Sequence, residues 1–166
     1  MYSHHDGQIW RHEAVNQEGL GSRNPSIDLA DDGTPHFVTT VISLELSWAL
    51  MYITLDGDEW VTEMVGIDDE LVDANVVPPD DKMGDFATLR VDGEGIPHIG
   101  YSNNELASYA RRVDGEWEMY EVENTLQYGA INPWVNITLD SDGIPHFAYE
   151  ADGLVRYATL KHQEGE

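Results

Sequence analysis

Three histidines follow prolines in matching contexts, at Pro35-His36, Pro97-His98 and Pro145-His146. Imidazole is a common metal ligand and titrates close to neutrality, so three such rings brought together could hold a metal or move protons. Each sits at the same point of a repeated run, and a position repeated with its surroundings more simply serves a repeated structural hydrogen bond. No metal site is expected of them. Acidic residues lie just upstream: Asp31-Asp32, Asp92 with Glu94, and Asp140 with Asp142. Their oxygens are donors of the kind Ca²⁺ takes, but the alternation and closing glutamate of an EF-hand loop are missing. Aspartate populates turns readily, so solvated turn acids are expected, and no cofactor.

Other chemistries find no foothold. The chain has no cysteine, which removes disulfides, thiolate metal sites and a cysteine nucleophile. No serine lies in a nucleophile elbow and no glycine-rich phosphate cradle follows a strand. Among 32 acidic residues no glycosidase carboxylate pair stands out, so no catalytic residue and no enzymatic activity is expected. Trp10, Trp60 and Trp117 share one repeat position and read as packing residues of an outer strand. Trp48 and Trp134 fall outside that series. Either could stack a sugar or anchor a partner, although packing is the default for so large a side chain.

The elements that must position these residues follow from internal self-similarity. Residues 27–37, 89–99 and 137–147 superpose without a gap: two apolar residues two apart, an acidic turn closed by Gly33, Gly95 or Gly143, then Pro-His and an apolar residue. Alternation, turn and alternation predict a β-hairpin. A second hairpin is predicted where a tyrosine precedes a tryptophan across Asp-Gly, from Tyr52 to Trp60 and from Tyr109 to Trp117. The N-terminus carries this half alone, Tyr2 to Trp10, and the C-terminus carries the first half with Tyr157.

Four short strands per unit make a β-propeller blade, and the class predicted is all-β with about three such blades. The predicted segments are 1–23, the last strand or strands of a blade; 24–83, a first blade with insertions at 41–48 and 66–84; 84–132, a second; and 133–166, a third lacking its outer strand. Three blades do not enclose a channel. The chain is therefore expected to close its ring with itself, most simply as a six-bladed homodimer in which the strand near Ile9 to Val15 completes the partner's last blade.

The run D-x-x-G-x-P-H-φ-x-Y, followed by Tyr-Ala and Gly-x-Trp, resembles repeats of β-propellers of the sialidase-like and lectin-like kind. Asp92 to Tyr101 and Asp140 to Tyr149 are the best copies; the first departs at Ala30 and Thr39. The S-x-D-x-G-x-T-W pattern of the sialidase Asp-box is absent, so the resemblance does not imply sialidase activity.

Where the repeat breaks, function is expected. The insertion in 41–48 is an apolar hairpin tip, and Ile42, Leu44, Leu46 and Trp48, with Trp134, are the candidate partner contacts. Packing of a longer strand pair is the alternative for the tip. The insertion from Gly66 to Gly84 reads as a spacer.

A formal net charge of −24, with Lys82 and Lys161 the only lysines, excludes nucleic acid as a partner because the field has the wrong sign. Such a surface repels itself in dilute buffer and is relieved in molar salt, where the Debye length falls to about 3 Å. In this it resembles proteins of haloarchaea and their viruses. No signal peptide and no membrane-spanning run is recognisable. The function expected is a non-enzymatic structural and attachment module on a virion or cell surface, contacting other structural proteins, a host receptor or a surface glycan or glycoprotein; if it is not viral, a cytoplasmic place is expected. A lectin-like carbohydrate binder is the alternative, and a glycoside hydrolase the second.

Overall fold

A computed structural model of the chain describes residues 1–15, 21–42, 48–65, 83–103, 106–125 and 133–160. Every regular element among them is a β-strand: β1 (Tyr2–His5), β2 (Trp10–Glu13), β3 (Gly21–Leu29), β4 (Pro35–Ile42), β5 (Trp48–Asp56), β6 (Glu59–Met64), β7 (Met83–Val91), β8 (Pro97–Asn103), β9 (Leu106–Val113), β10 (Glu116–Asn124), β11 (Val135–Leu139), β12 (Pro145–Ala151) and β13 (Leu154–Thr159). They form antiparallel up-and-down sheets in the orders β1-β2, β3-β4-β5-β6, β7-β8-β9-β10 and β11-β12-β13. Among the described residues no helix is long and apolar enough to cross a membrane.

Local chemistry explains the hairpins. Each acidic turn places its glycine at positive φ, as at Gly95 (81°), a conformation that a Cβ would strain. Proline opens the following strand, where its missing N–H costs least. In the second turns Asp114-Gly115 takes positive φ at both residues, the geometry that lets a two-residue turn follow strand twist.

The sheets stack face to face through apolar side chains. One cluster joins Val38, Leu50 and Tyr52 to Leu89, Ile99 and Tyr101, with Trp117 against it. The next joins Tyr109 to Val135, Ile137, Phe147 and Tyr149. At the other end, Tyr2 and Val15 cover Phe37, Met51 and Trp60. Gly100 lets two sheets approach closely: a Cβ there would stand 3.1 Å from Val135 Cγ1 and 3.2 Å from Ile137 Cβ.

Two features were not expected. The register of β3 with β4 slips between Arg23 and Ser26, and that of β7 with β8 between Asp85 and Thr88. Asn24 and Phe86, equivalent positions in the repeat, adopt φ of 49° and 57° inside these irregularities. Within the chain, moreover, β2 pairs with β1 in the register Tyr2↔Glu13, and the hairpin lies against the β3–β6 sheet through Tyr2.

Candidate functional site

The repeated Asp, Pro-His and Tyr build one hydrogen-bonded brace inside a sheet. Asp92 Oδ1 accepts the N–H groups of Glu94 at 2.9 Å and Ile96 at 2.8 Å, which fixes the turn. Its other oxygen lies 3.2 Å from Nε2 of His98, and Nδ1 of His98 lies 2.8 Å from the Tyr109 hydroxyl on the third strand. A carboxylate only accepts, so the network assigns the proton to Nε2 and makes Nδ1 the acceptor of the Tyr109 O–H. The pattern recurs at Asp140, His146 and Tyr157, at 3.2 and 2.7 Å. In the first copy His36 keeps its tyrosine, Tyr52, but Ala30 offers no carboxylate; Asp32 Oδ1 accepts the Thr34 N–H at 2.8 Å and holds the turn instead.

Burial sets the electrostatics of the brace. It pushes His98 below the usual imidazole range, against the bond and charge of Asp92, and lowers His36 likewise, against Asp32 and Asp28. It raises the Tyr109 hydroxyl and pushes Tyr52 up to about 12. Neutral histidines bonded within their own sheets hold structure together. Among the described residues, no three histidine or carboxylate side chains gather as metal ligands.

The second and third of these turns flank a cleft of about 690 Å³, within the range of small-ligand sites. Asp92 and Glu94 line it from one turn and Ser141 and Asp142 from the other, together with the buried His98 and Tyr109, Arg111 and Leu160. Arg111 Nε donates to Glu118 Oε2 at 2.8 Å, the Tyr120 hydroxyl donates to the same oxygen at 2.7 Å, and the guanidinium stands 5.9 Å from the Tyr120 ring centre. Burial tends to lower Arg111, but its bonds to Glu118 and Tyr120 outweigh this and hold it above the usual range. Glu118, bonded to Tyr120 and Arg111, is held below the usual carboxylate range. The cleft thus offers fixed acceptors, one cationic donor and apolar edges.

The residues singled out from the sequence are dispersed. His98 lies in the cleft, while His36 and His146 belong to other braces. Trp60 and Trp117 pack between sheets and donate to Glu13 and Glu63, on the last strands of the preceding sheets, at 3.3 and 3.2 Å. Trp10 is exposed and meets only the His5 ring edge-on among the described aromatic contacts. Trp134 stacks on Phe86 with centroids 4.0 Å apart, clear of the cleft. Ile42 and Trp48 are paired as backbone at the end of β4 and β5, and Leu44 and Leu46 lie outside the described residues. Arg111, Glu118 and Tyr120 were missed by sequence reasoning. The adjacent arginines 111 and 112, conspicuous in so acidic a chain, were the available signal.

No family model matches the sequence, and no curated protein matches it. Solved structures do. A protein of unknown function from Dyadobacter fermentans DSM 18053 aligns with a TM-score of 0.58 at 12% identity, over 96% of this chain and 51% of that one. An endo-arabinase from Bacteroides thetaiotaomicron VPI-5482 aligns at 0.55 and 12%, over 93% and 61%. A fucose lectin from Kordia zhangzhouensis aligns at 0.49 and 18%, over 84% and 93%. The chain spans 51% and 61% of the first two, and at such identities the likeness is one of fold. The fold is all-β and propeller-like.

Proposed function

We propose that the protein is a non-enzymatic glycan-binding module whose site is the cleft between the β7–β8 and β11–β12 turns. The observation that carries this is the placing of Arg111, braced by Glu118 and Tyr120, beside the turn carboxylates and the apolar Leu160 edge. Sugar hydroxyls need acceptors and donors fixed around a partly apolar face, and charge-assisted bonds supply most of the orientation. A chain of net charge −24 repels anionic glycans, which points to neutral sugars. Of the carboxylates that line the cleft, Asp92 is committed to the Glu94 and Ile96 N–H groups and to His98 Nε2, which leaves it no part as a glycosidase acid or nucleophile. Binding without turnover therefore fits better than hydrolysis. Such a module serves attachment at a virion or cell surface, and its acidity suits molar salt.

The test is a screen of neutral and acidic glycans in molar KCl, followed by calorimetric titration and chromatography of the recovered sugar. A neutral saccharide should bind, be recovered intact, and lose about tenfold or more in affinity with Arg111→Ala. Absence of any neutral ligand, or cleavage of one, would overturn the reading.

A further inference from the structure

The joint between successive sheets has its own repeated chemistry. Ser26 Oγ accepts the Leu89 N–H at 3.1 Å, and Asp28 Oδ2 accepts the Val91 N–H at 2.9 Å. One joint further on, Thr88 Oγ1 accepts the Ile137 N–H at 3.0 Å and donates to the Val135 carbonyl at 3.0 Å. Ser26, Thr88 and Asn136 are one repeat position, and Ile27, Leu89 and Ile137 are another. The chain thus carries an unused side-chain half of a joint, Asn136 with the exposed back of β11–β13, and an unused backbone half, Ile27 at the open edge of β3.

Exposure separates the used joints from the unused ones. Leu89 and Ile137 are 0% and 3% exposed, yet Ile27 is 48% exposed; Tyr52 and Tyr109 are 3% and 1% exposed, yet Tyr157 is 64% exposed. Tyr2 occupies the place that Tyr157 would take, edge-on to both Phe37 and Trp60 at 5.6 Å. The hairpin that carries Tyr2 covers only this outer half of the sheet and leaves Ile27 and Leu29 uncovered.

We propose that a second copy of this chain supplies the missing side of both joints, with β1 a stand-in for the partner's β13. The back of the β11–β13 sheet of one copy docks on the β3 edge of the other. Its Asn136 amide oxygen accepts the Ile27 N–H and its amide nitrogen donates to the Pro25 carbonyl, repeating the Thr88 arrangement. Strand β13, paired with β12 over six residues against four for β1 with β2, displaces β1 and brings Tyr157 onto Phe37 and Trp60. Strand β2 then pairs with β13 as the fourth strand of that sheet, which covers Trp10. The occupant is a second copy because its exposed face presents Ala148, Val155 and Tyr157 at the repeat positions that Val38, Leu50 and Tyr52 fill at the first internal joint. Two such contacts related by a two-fold axis close a ring of six sheets and leave no open edge.

Light scattering after size exclusion in molar KCl, where charge repulsion is screened, tests this independently of sugar binding. Wild type should run at twice the chain mass. Ile27→Asp, exposed in the single chain, should give a monomer with unchanged far-UV circular dichroism, and Asn136→Ala should weaken dimerisation about tenfold. A chain lacking Met1–His5 should remain a dimer of equal or higher affinity. A monomeric wild type, an Ile27→Asp dimer of undiminished affinity, or loss of the dimer without Met1–His5 would overturn the proposal. Sugar titration of the Ile27→Asp monomer reports separately on the cleft, which lies within one chain.

Discussion

Asp92→Ala removes the acceptor of the Glu94 and Ile96 N–H groups and the partner of His98 Nε2 in a single step. The turn amides lie near water and recover much of their bonding. His98 is 4% exposed, so its Nε2–H is left buried and unpaired. An unpaired buried donor costs about 1–3 kcal/mol, and with the weakened turn the total should be about 2–3 kcal/mol. For a chain of this size that is roughly 4–12 °C in melting temperature. Asp140 makes the same set of bonds, but His146 has 29% of its side chain exposed and can turn to solvent. Asp140→Ala should therefore lower the melting temperature by clearly less than Asp92→Ala. Thermal unfolding of both variants in molar KCl, followed by circular dichroism, makes the comparison. Equal losses, or a larger one for Asp140→Ala, would refute the argument that burial of the histidine sets the cost.

Gly100→Ala forces a Cβ to within 3.1 Å of Val135 and should cost about 1–3 kcal/mol by overpacking, read as a lower melting temperature; an unchanged value would show that the joint is loose. Stability should rise steeply from dilute buffer to molar NaCl or KCl, since screening relieves the repulsion of 32 acidic residues; a melting temperature flat across that range would sink the assignment to a saline setting. Burial holds His36 and His98 below their unfolded values, so the unfolded chain binds more protons as acid is added. Stability in molar salt is then full above about pH 6.5, the unfolded histidine value, and should decline as pH falls toward the lower folded values; a rise from about pH 7 to 5.5 would contradict the buried neutral histidines.

Much of the fold was legible because its signals are local. The Asp-x-x-Gly-x-Pro-His runs carry turn chemistry and period-two alternation together, and the hairpins stand where these runs predict them. That each Pro-His belongs to a repeated structural bond was also readable, since the position recurs with its surroundings. Its partners were not. Tyr109 stands opposite Gly100 in the ladder and reaches His98 diagonally, a contact fixed by strand register and twist rather than by spacing along the chain. The positive φ of Phe86 was illegible for a related reason: a bulge is decided by the mismatch of two strands, and an aromatic residue gives no hint of it. The cleft is harder still, because Asp92 and Asp142 come from neighbouring sheets and Arg111 enters from a third-strand position. The parting of the aromatic series, with Trp60 and Trp117 covered and Trp10 exposed, depends on which neighbour each sheet has.

Every bond of the Asp-His-Tyr brace begins and ends in one sheet, so a unit carries its wiring with it. A gene duplication or a loss of one repeat leaves each remaining brace intact, and only the joints must be renegotiated. Ala30 shows the same insulation: one unit has a methyl where the others have the carboxylate, Asp32 holds its turn, and the neighbouring units have their full set of bonds. Copy number in such a chain is free to change by whole steps, while the residues at the seams decide how many copies travel together.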